Sequence, residues 1–232
     1  GDLNNDGLLD LMVVDMVAED NYRLKANMSG MNPDKFWKVV DDGGHYQYMF
    51  NTLQLNNGGL SFSDIAQLSQ VATTDWSWTN LFADLDNDGW KDIYVTNGLL
   101  RDIRNSDATK KVAQAIESTV AAYLKKNPNP QGISIWDLVD INKVLDLVPS
   151  EKLQNYVFQN KGDLTFEKKM KDWGLDQKTF SNGAAYADLD RDGDLDLILN
   201  NVNEEAFIYQ NNSQTQNKHH YLRVQLDNAK AG

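Results

Sequence analysis

The sequence predicts a mainly β chain: part of a β-propeller of four-stranded blades, with acidic loops and a helical insertion. Three observations carry this. A nine-residue acidic motif occurs three times, a unit of about 47 residues repeats around two of its copies, and helical periodicity is confined to one central stretch.

The motif copies are Asp2-Leu-Asn-Asn-Asp-Gly-Leu-Leu-Asp10, Asp84-Leu-Asp-Asn-Asp-Gly-Trp-Lys-Asp92 and Asp188-Leu-Asp-Arg-Asp-Gly-Asp-Leu-Asp196. A shift of 104 residues superposes Asn56 on Asn160, Gly58 on Gly162, Phe62 on Phe166, Ser77 on Ser181 and Asn97 on Asn201, with no gap from Asn51 to Asn97. That unit has the size of one four-stranded blade. Its strands read as Thr52 to Leu55, Leu60 to Ser63 after the Asn56-Asn57-Gly58-Gly59 turn, an alternating run from Trp76 to Ala83, and Ile93 to Thr96. One face of the alternating run (Ser77, Thr79, Leu81 and Ala83; Ser181, Gly183, Ala185 and Ala187) reads as the small one, as crowding around a central axis requires.

Tyr209-Gln-Asn211 echoes Phe158-Gln-Asn160 after only 51 residues, so the longer step contains an insertion of about 50 residues, placed at 98–153. Val112, Ile116, Val120 and Leu124 form a helical stripe ended by Asn127-Pro128, and Ser134 caps a second helix from Ile135 to Val148. A second insertion, about 16–47, contains Glu19-Asp-Asn-Tyr-Arg and Gly30-Met-Asn-Pro33 and has no legible fold. Blades therefore fill 1–213, and 214–232, with the alternating run His220 to Leu226, begins a further β domain.

Composition narrows the function. A formal net charge of −12 supplies no basic stripe for phosphates and argues against a nucleic-acid partner. Hydrophobic residues make up 41% of the chain, enough for a core, and no apolar run is long enough for a membrane span. The absence of cysteine leaves no disulfide framework, and bound metal is the remaining brace. The opening at Gly1-Asp2, already inside a motif, reads as a fragment whose export signal lies upstream or was removed, and the expected setting is extracellular, periplasmic or cell-surface.

Each motif places side-chain oxygens at positions 1, 3, 5 and 9: Asp2, Asn4, Asp6 and Asp10; Asp84, Asp86, Asp88 and Asp92; Asp188, Asp190, Asp192 and Asp196. The main-chain carbonyl at position 7 (Leu8, Trp90, Asp194) offers another oxygen. Calcium takes 6–8 oxygens and fits such a loop, magnesium prefers a strict octahedron, and zinc wants His or Cys. Carboxylates crowded without a cation raise one another's pKa and oppose folding. Three divalent ions would halve the formal charge of −12. An EF-hand needs a Glu at position 12 between helices, and Val13, Val95 and Leu199 stand there in strand-like runs. The leucines at position 2 (Leu3, Leu85, Leu189) read as plugs onto the core.

At these residues the chain resembles the FG-GAP/VCBS repeat family, which includes integrin α-subunit propellers. The resemblance implies Ca²⁺ bound by the twelve side chains above, with the Asn4 site the weakest. The Glu19-Asp-Asn-Tyr-Arg motif, the central loop and the His220 run resemble secreted bacterial cartilage-acidic-protein-like proteins, in which an ASPIC/UnbV domain follows the propeller.

The expected function is a calcium-binding extracellular module for adhesion, binding or scaffolding, with a protein or carbohydrate ligand. The competing reading is the calcium-braced propeller of a polysaccharide-degrading enzyme. No nucleophile–base constellation supports catalysis, and the Asp residues are largely committed to the loops. His45, His219 and His220 read as surface residues. Trp76 and Trp78 read as packing between blades rather than as a sugar platform, and the Lys110, Lys125 and Lys168 clusters as solvated.

Overall fold

The computed structural model describes residues 1–27, 32–217, 219, 221, 222 and 224. In chain order its elements are β1 (Leu11–Val13), β2 (Met16–Val17), α1 (Asn21–Asn27), α2 (Pro33–Asp41), β3 (Thr52–Asn56), β4 (Phe62–Asp64), β5 (Asp75–Ala83), β6 (Asp92–Asn97), α3 (Ser106–Lys126), α4 (Ile135–Leu138), α5 (Ile141–Leu145), β7 (Leu153–Gln154), β8 (Tyr156–Asn160), β9 (Phe166–Lys168), β10 (Lys178–Thr179), β11 (Ser181–Ala187), β12 (Asp196–Asn201), β13 (Phe207–Tyr209) and α6 (Ser213–Gln216). Most of the run from His220, and Gly30-Met31 of the first insertion, lie outside the described residues.

The chain is mainly β, and its antiparallel sheets follow one another along the sequence. Their orders are β1-β3-β4, β2-β5-β6-β8-β9 and β11-β12-β13, with a short β7-β10 ladder beside them. This grouping corrects one expectation. The repeat from Asn51 to Asn97 is not one sheet: β3 and β4 pair with β1, whereas β5 and β6 pair with β8 and β9. The sequence unit straddles a sheet boundary, because a repeat length fixes spacing and leaves the cut between sheets open. The strand at Leu60 also moves. Leu60 sits fully exposed in the turn at φ 67, and β4 begins two residues later.

The strands that precede the acidic loops, β5 and β11, lie side by side, and Thr79 Oγ1 donates to the Asn182 carbonyl at 3.3 Å. Both carry a register irregularity at equivalent places, Ser77/Asn80 and Ser181/Gly183. Close approach explains Gly98. A Cβ there would stand 2.6 Å from the Phe180 Cα, and its φ of 143 suits only glycine.

Two apolar clusters fill the spaces between sheets. Leu3, Met12, Leu53, Val71, Ile93, Phe158 and Phe166 pack between the first two. Ala83, Leu85, Tyr94, Val157, Leu175, Leu197 and Leu199 pack between the second and third. Leu3 and Leu85 are buried plugs as expected. Leu189 is 53% exposed, because no sheet among the described residues packs over the third loop.

Both insertions leave a sheet at the end opposite the acidic loops. The loop joins β5 to antiparallel β6, and the long insertion starts from the far end of β6. The helix α3 is capped by Asn105 and ends at Asn127, as the stripe predicted. The second predicted helix is instead two short ones. Ser134 caps α4 with a capping box, and Asp140 breaks the run by capping α5 through the Asn142 and Lys143 amides. The insertion closes at its neck, where the Asp102 amide donates to the Pro149 carbonyl at 2.8 Å.

Arg23 on α1 fastens the two insertions together. Its five N–H groups are all used: two on Asp75 (2.8 and 3.0 Å), two on Asp102 (3.1 and 3.3 Å) and one on Glu151 (2.9 Å). Arg23, Asp75 and Asp102 are all buried, and Asp75 holds a left-handed φ of 59 to start β5. Breaking such a cluster on one side strands buried charge. Arg23→Met is therefore expected to cost about 3–5 kcal/mol in denaturant unfolding. Lys161→Ala, at an exposed pair with Glu167, should cost under about 1 kcal/mol. Equal costs would show that Arg23 is not a fastening point.

Candidate metal centre

Each acidic loop is first a folded peptide. In the first, the Asp6 amide donates to Asp2 Oδ1 (3.2 Å) and Asn4 Oδ1 (3.3 Å), Gly7 to Asp2 Oδ2 (3.0 Å), and Leu8 to Asp6 Oδ1 (2.7 Å). The second repeats this atom for atom, with Asp88 on Asp84 (3.1 Å) and Asp86 (3.2 Å), Gly89 on Asp84 (3.0 Å) and Trp90 on Asp88 (2.8 Å). The third keeps Asp192 on Asp190 (3.3 Å) and Asp194 on Asp192 (3.2 Å). Short side chains in alternation, with a residue at positive φ in position 4 (Asn5, Asn87, Arg191), make this tight bend.

The bend brings the carboxylates of positions 1, 3 and 5 together. One oxygen each of Asp84, Asp86 and Asp88 lies within 4.8 Å of the others, and so do those of Asp188, Asp190 and Asp192. In the first loop Asn4 replaces the middle acid and its Nδ2 donates to Asp6 Oδ2 at 2.9 Å. All donors are hard oxygens, which fit calcium or magnesium rather than zinc. Asp194 Oδ1 is buried with no hydrogen-bond partner, a further oxygen beside the third triad.

Position 9 is placed differently. Asp10, Asp92 and Asp196 are buried, and each accepts two main-chain N–H bonds. Oδ2 accepts from position 2 (Leu3 2.8 Å, Leu85 3.0 Å, Leu189 2.9 Å). Oδ1 accepts from Asn56 (2.9 Å), Asn160 (2.9 Å) and Asn211 (2.8 Å). This residue therefore fastens the loop to the end of the strand paired with the one that leaves it (β3, β8 and β13), in addition to any ligand role.

Two functional residue types escaped the sequence reading. Gln159 Nε2 donates to Asp86 Oδ2 (2.6 Å) and Gln210 Nε2 to Asp190 Oδ2 (2.7 Å), orienting the position-3 carboxylate. Leu55 stands at the matching place for the first loop. Asn56, Asn160 and Asn211 are the second type. Their coincidence under the repeat shift was the available signal.

Elsewhere, Trp78 Nε1 donates to the Gly98 carbonyl (2.8 Å) with the ring half exposed, and Arg104 stands 5.8 Å over Trp76. His219 Nδ1 lies 2.8 Å from the Asp86 carbonyl, so it docks on the second loop.

Burial pushes Asp84 and Asp88 above the usual carboxylate range, with Asp86 adding to both. It pushes Asp92 up to about 8, against the opposing N–H bonds of Asn160 and Leu85.

A family model described as FG-GAP-like repeat matches residues 2–95 and 139–199. The matched spans contain all three loops and leave out most of the helical insertion. No curated protein matches the chain.

The raised carboxyls set the pH response. The cation-free folded state binds protons that the unfolded chain releases, so its stability should rise as pH falls from about 8 toward about 4. With excess divalent cation the same groups are held ionised, and stability should instead fall with pH. Denaturant midpoints across that range, with and without chelator, check this. A cation-free midpoint that drops on mild acidification would refute it.

Proposed function

The chain belongs to the FG-GAP-like repeat family, and from that membership we propose a calcium-braced β-propeller segment of four-stranded blades that serves as an extracellular or cell-surface binding and scaffold module. The observation that carries this is the pair of three-carboxylate clusters within 4.8 Å, repeated at the same bend of successive sheets. Calcium is favoured over magnesium because the oxygens come from an irregular bend with main-chain carbonyls nearby, a set that suits 6–8 ligands better than a strict octahedron. Positions 1, 3 and 5 and the position-7 carbonyl would hold the ion, with position 9 closing the loop beneath it. A bound calcium would supply charge neutralisation.

A binding role draws support from the opposite end of the sheets. There the insertions expose Trp37, Tyr46 and Tyr48 on one side and Ile135, Trp136 and Ile141 on the other. Adhesion to a protein or carbohydrate partner through this end is the role proposed, and residues from 214 onward would lead into a further β domain of the ASPIC/UnbV type. No helix among the described residues is long and apolar enough to cross a membrane.

Calcium should raise the melting temperature, each site contributing about 2.7 kcal/mol at a free concentration a hundredfold above its Kd. Removing it with EGTA should reverse the shift, and equal magnesium should restore less. A melting curve indifferent to both treatments would overturn the calcium reading. Glycan and protein arrays probed with the calcium-loaded protein test the binding role. Capture is expected to weaken in Trp136→Ala or Trp37→Ala with the melt unchanged, and a protein that captures nothing would overturn it.

A further inference from the structure

The loops are hydrogen-bonded to each other as well as to their own sheets. Asn5, at position 4 of the first loop, donates from Nδ2 to the Gly89 carbonyl at position 6 of the second (3.0 Å). Asn87 repeats the bond from the second loop to Gly193 of the third (3.4 Å). Both asparagines hold left-handed φ angles, 56 and 57, between two acidic-cluster positions. Their side chains reach a carbonyl directly after the position-5 carboxylate of the neighbour.

A second set of bonds runs beneath the first. Asn160 Nδ2 donates to the Leu3 carbonyl of the first loop (2.8 Å) and the Lys91 carbonyl of the second (3.0 Å). Asn211 does the same for Leu85 (2.7 Å) and Leu195 (3.1 Å), bridging the second and third loops. The remaining groups of each are also committed. Oδ1 of Asn160 accepts from Gly162 and Oδ1 of Asn211 from Ser213, and their amides hold the position-9 aspartates. Every bridged carbonyl adjoins a ligand position: position 2 lies between 1 and 3, position 6 follows 5, and position 8 precedes 9.

We propose that the acidic loops bind cations cooperatively, through the amide bridges of Asn5 and Asn87, with Asn160 and Asn211 holding neighbouring loops at the distance those bridges span. The inference rests on the calcium reading of these loops. An ion that orders one bend fixes the carbonyls and donors of the next, which then gives up less freedom when its own ion arrives. Coupling of this kind commonly changes affinity about 5–150-fold.

The test is a calcium titration of the metal-stripped full chain by calorimetry, with a competing chelator of known affinity. The wild type should give a sigmoidal isotherm with a Hill coefficient above 1. The comparison is the double variant Asn5→Gly/Asn87→Gly, because glycine keeps the left-handed bend and removes only the amide. It should bind the same number of ions, with a Hill coefficient closer to 1 and a mean affinity about tenfold weaker. Its cation-free melt, expected to match the wild type, is the control for folding. Independent sites in the wild type, or an identical isotherm in the variant, would overturn the coupling and leave calcium binding standing. A wild type that takes up no calcium would overturn both, and stoichiometry separates the two failures.

Discussion

The buried aspartate at position 9 of each loop is the contact on which the rest of the structure depends. It is an acid in an apolar setting, and it is tolerable there because both oxygens accept main-chain N–H groups. One comes from position 2 of its own loop and the other from the asparagine that ends the neighbouring strand. The first bond closes the bend that gathers positions 1, 3 and 5. The second attaches that bend to the sheet. Leu3 and Leu85, whose amides make the closing bond, are also the plugs that enter the two apolar clusters, so loop closure and core packing share the same residues.

What could be read from the chain was what is local. The acidic bends, the absence of an EF-hand and the strands around them follow from spacing within ten or so residues, and Val13, Val95 and Leu199 stand in strands as read. The α3 stripe is local too. The sheet boundary was not legible. Thr52 to Asn56 resembles a strand that precedes β5, and only its pairing with Leu11–Val13 assigns it elsewhere. The break at Asp140 was written as an N-cap residue, but a continuous apolar pattern from Ile135 to Val148 obscured it.

The remaining contacts depend on distance along the chain. Asn160 meets Leu3 across 157 residues, and Arg23 meets Glu151 across 128. No periodicity announces such partners. The repeat superposed Asn56, Asn160 and Asn211 without saying why asparagine recurs. At Asn160 and Asn211 the structure answers with chemistry: two N–H donors for two loops, one acceptor for a turn, and a main-chain amide for a buried acid. Aspartate would lack the donors. Glutamine adds a methylene and at this neighbouring position points to the carboxylate cluster, as Gln159 and Gln210 do.

The two ends of the sheets are therefore built on different physics. At the loop end, like charges are held together by main-chain donors, and their mutual repulsion is what the proposed cation would relieve. At the insertion end, a buried guanidinium already supplies the neutralising charge, and Arg23 satisfies Asp75 and Asp102 from within the chain. The covalent cation leaves that end fixed whatever the solution holds. The loop end is left as the part whose rigidity, with calcium bound as proposed, would answer to dissolved metal. Since β5 runs from Asp75 at the one end to Ala83 beside the loop at the other, the same strand carries both devices. A surface presented by the insertions thus rests on a sheet whose far end the proposed ion binding would tighten, without any ligand crossing from one end to the other.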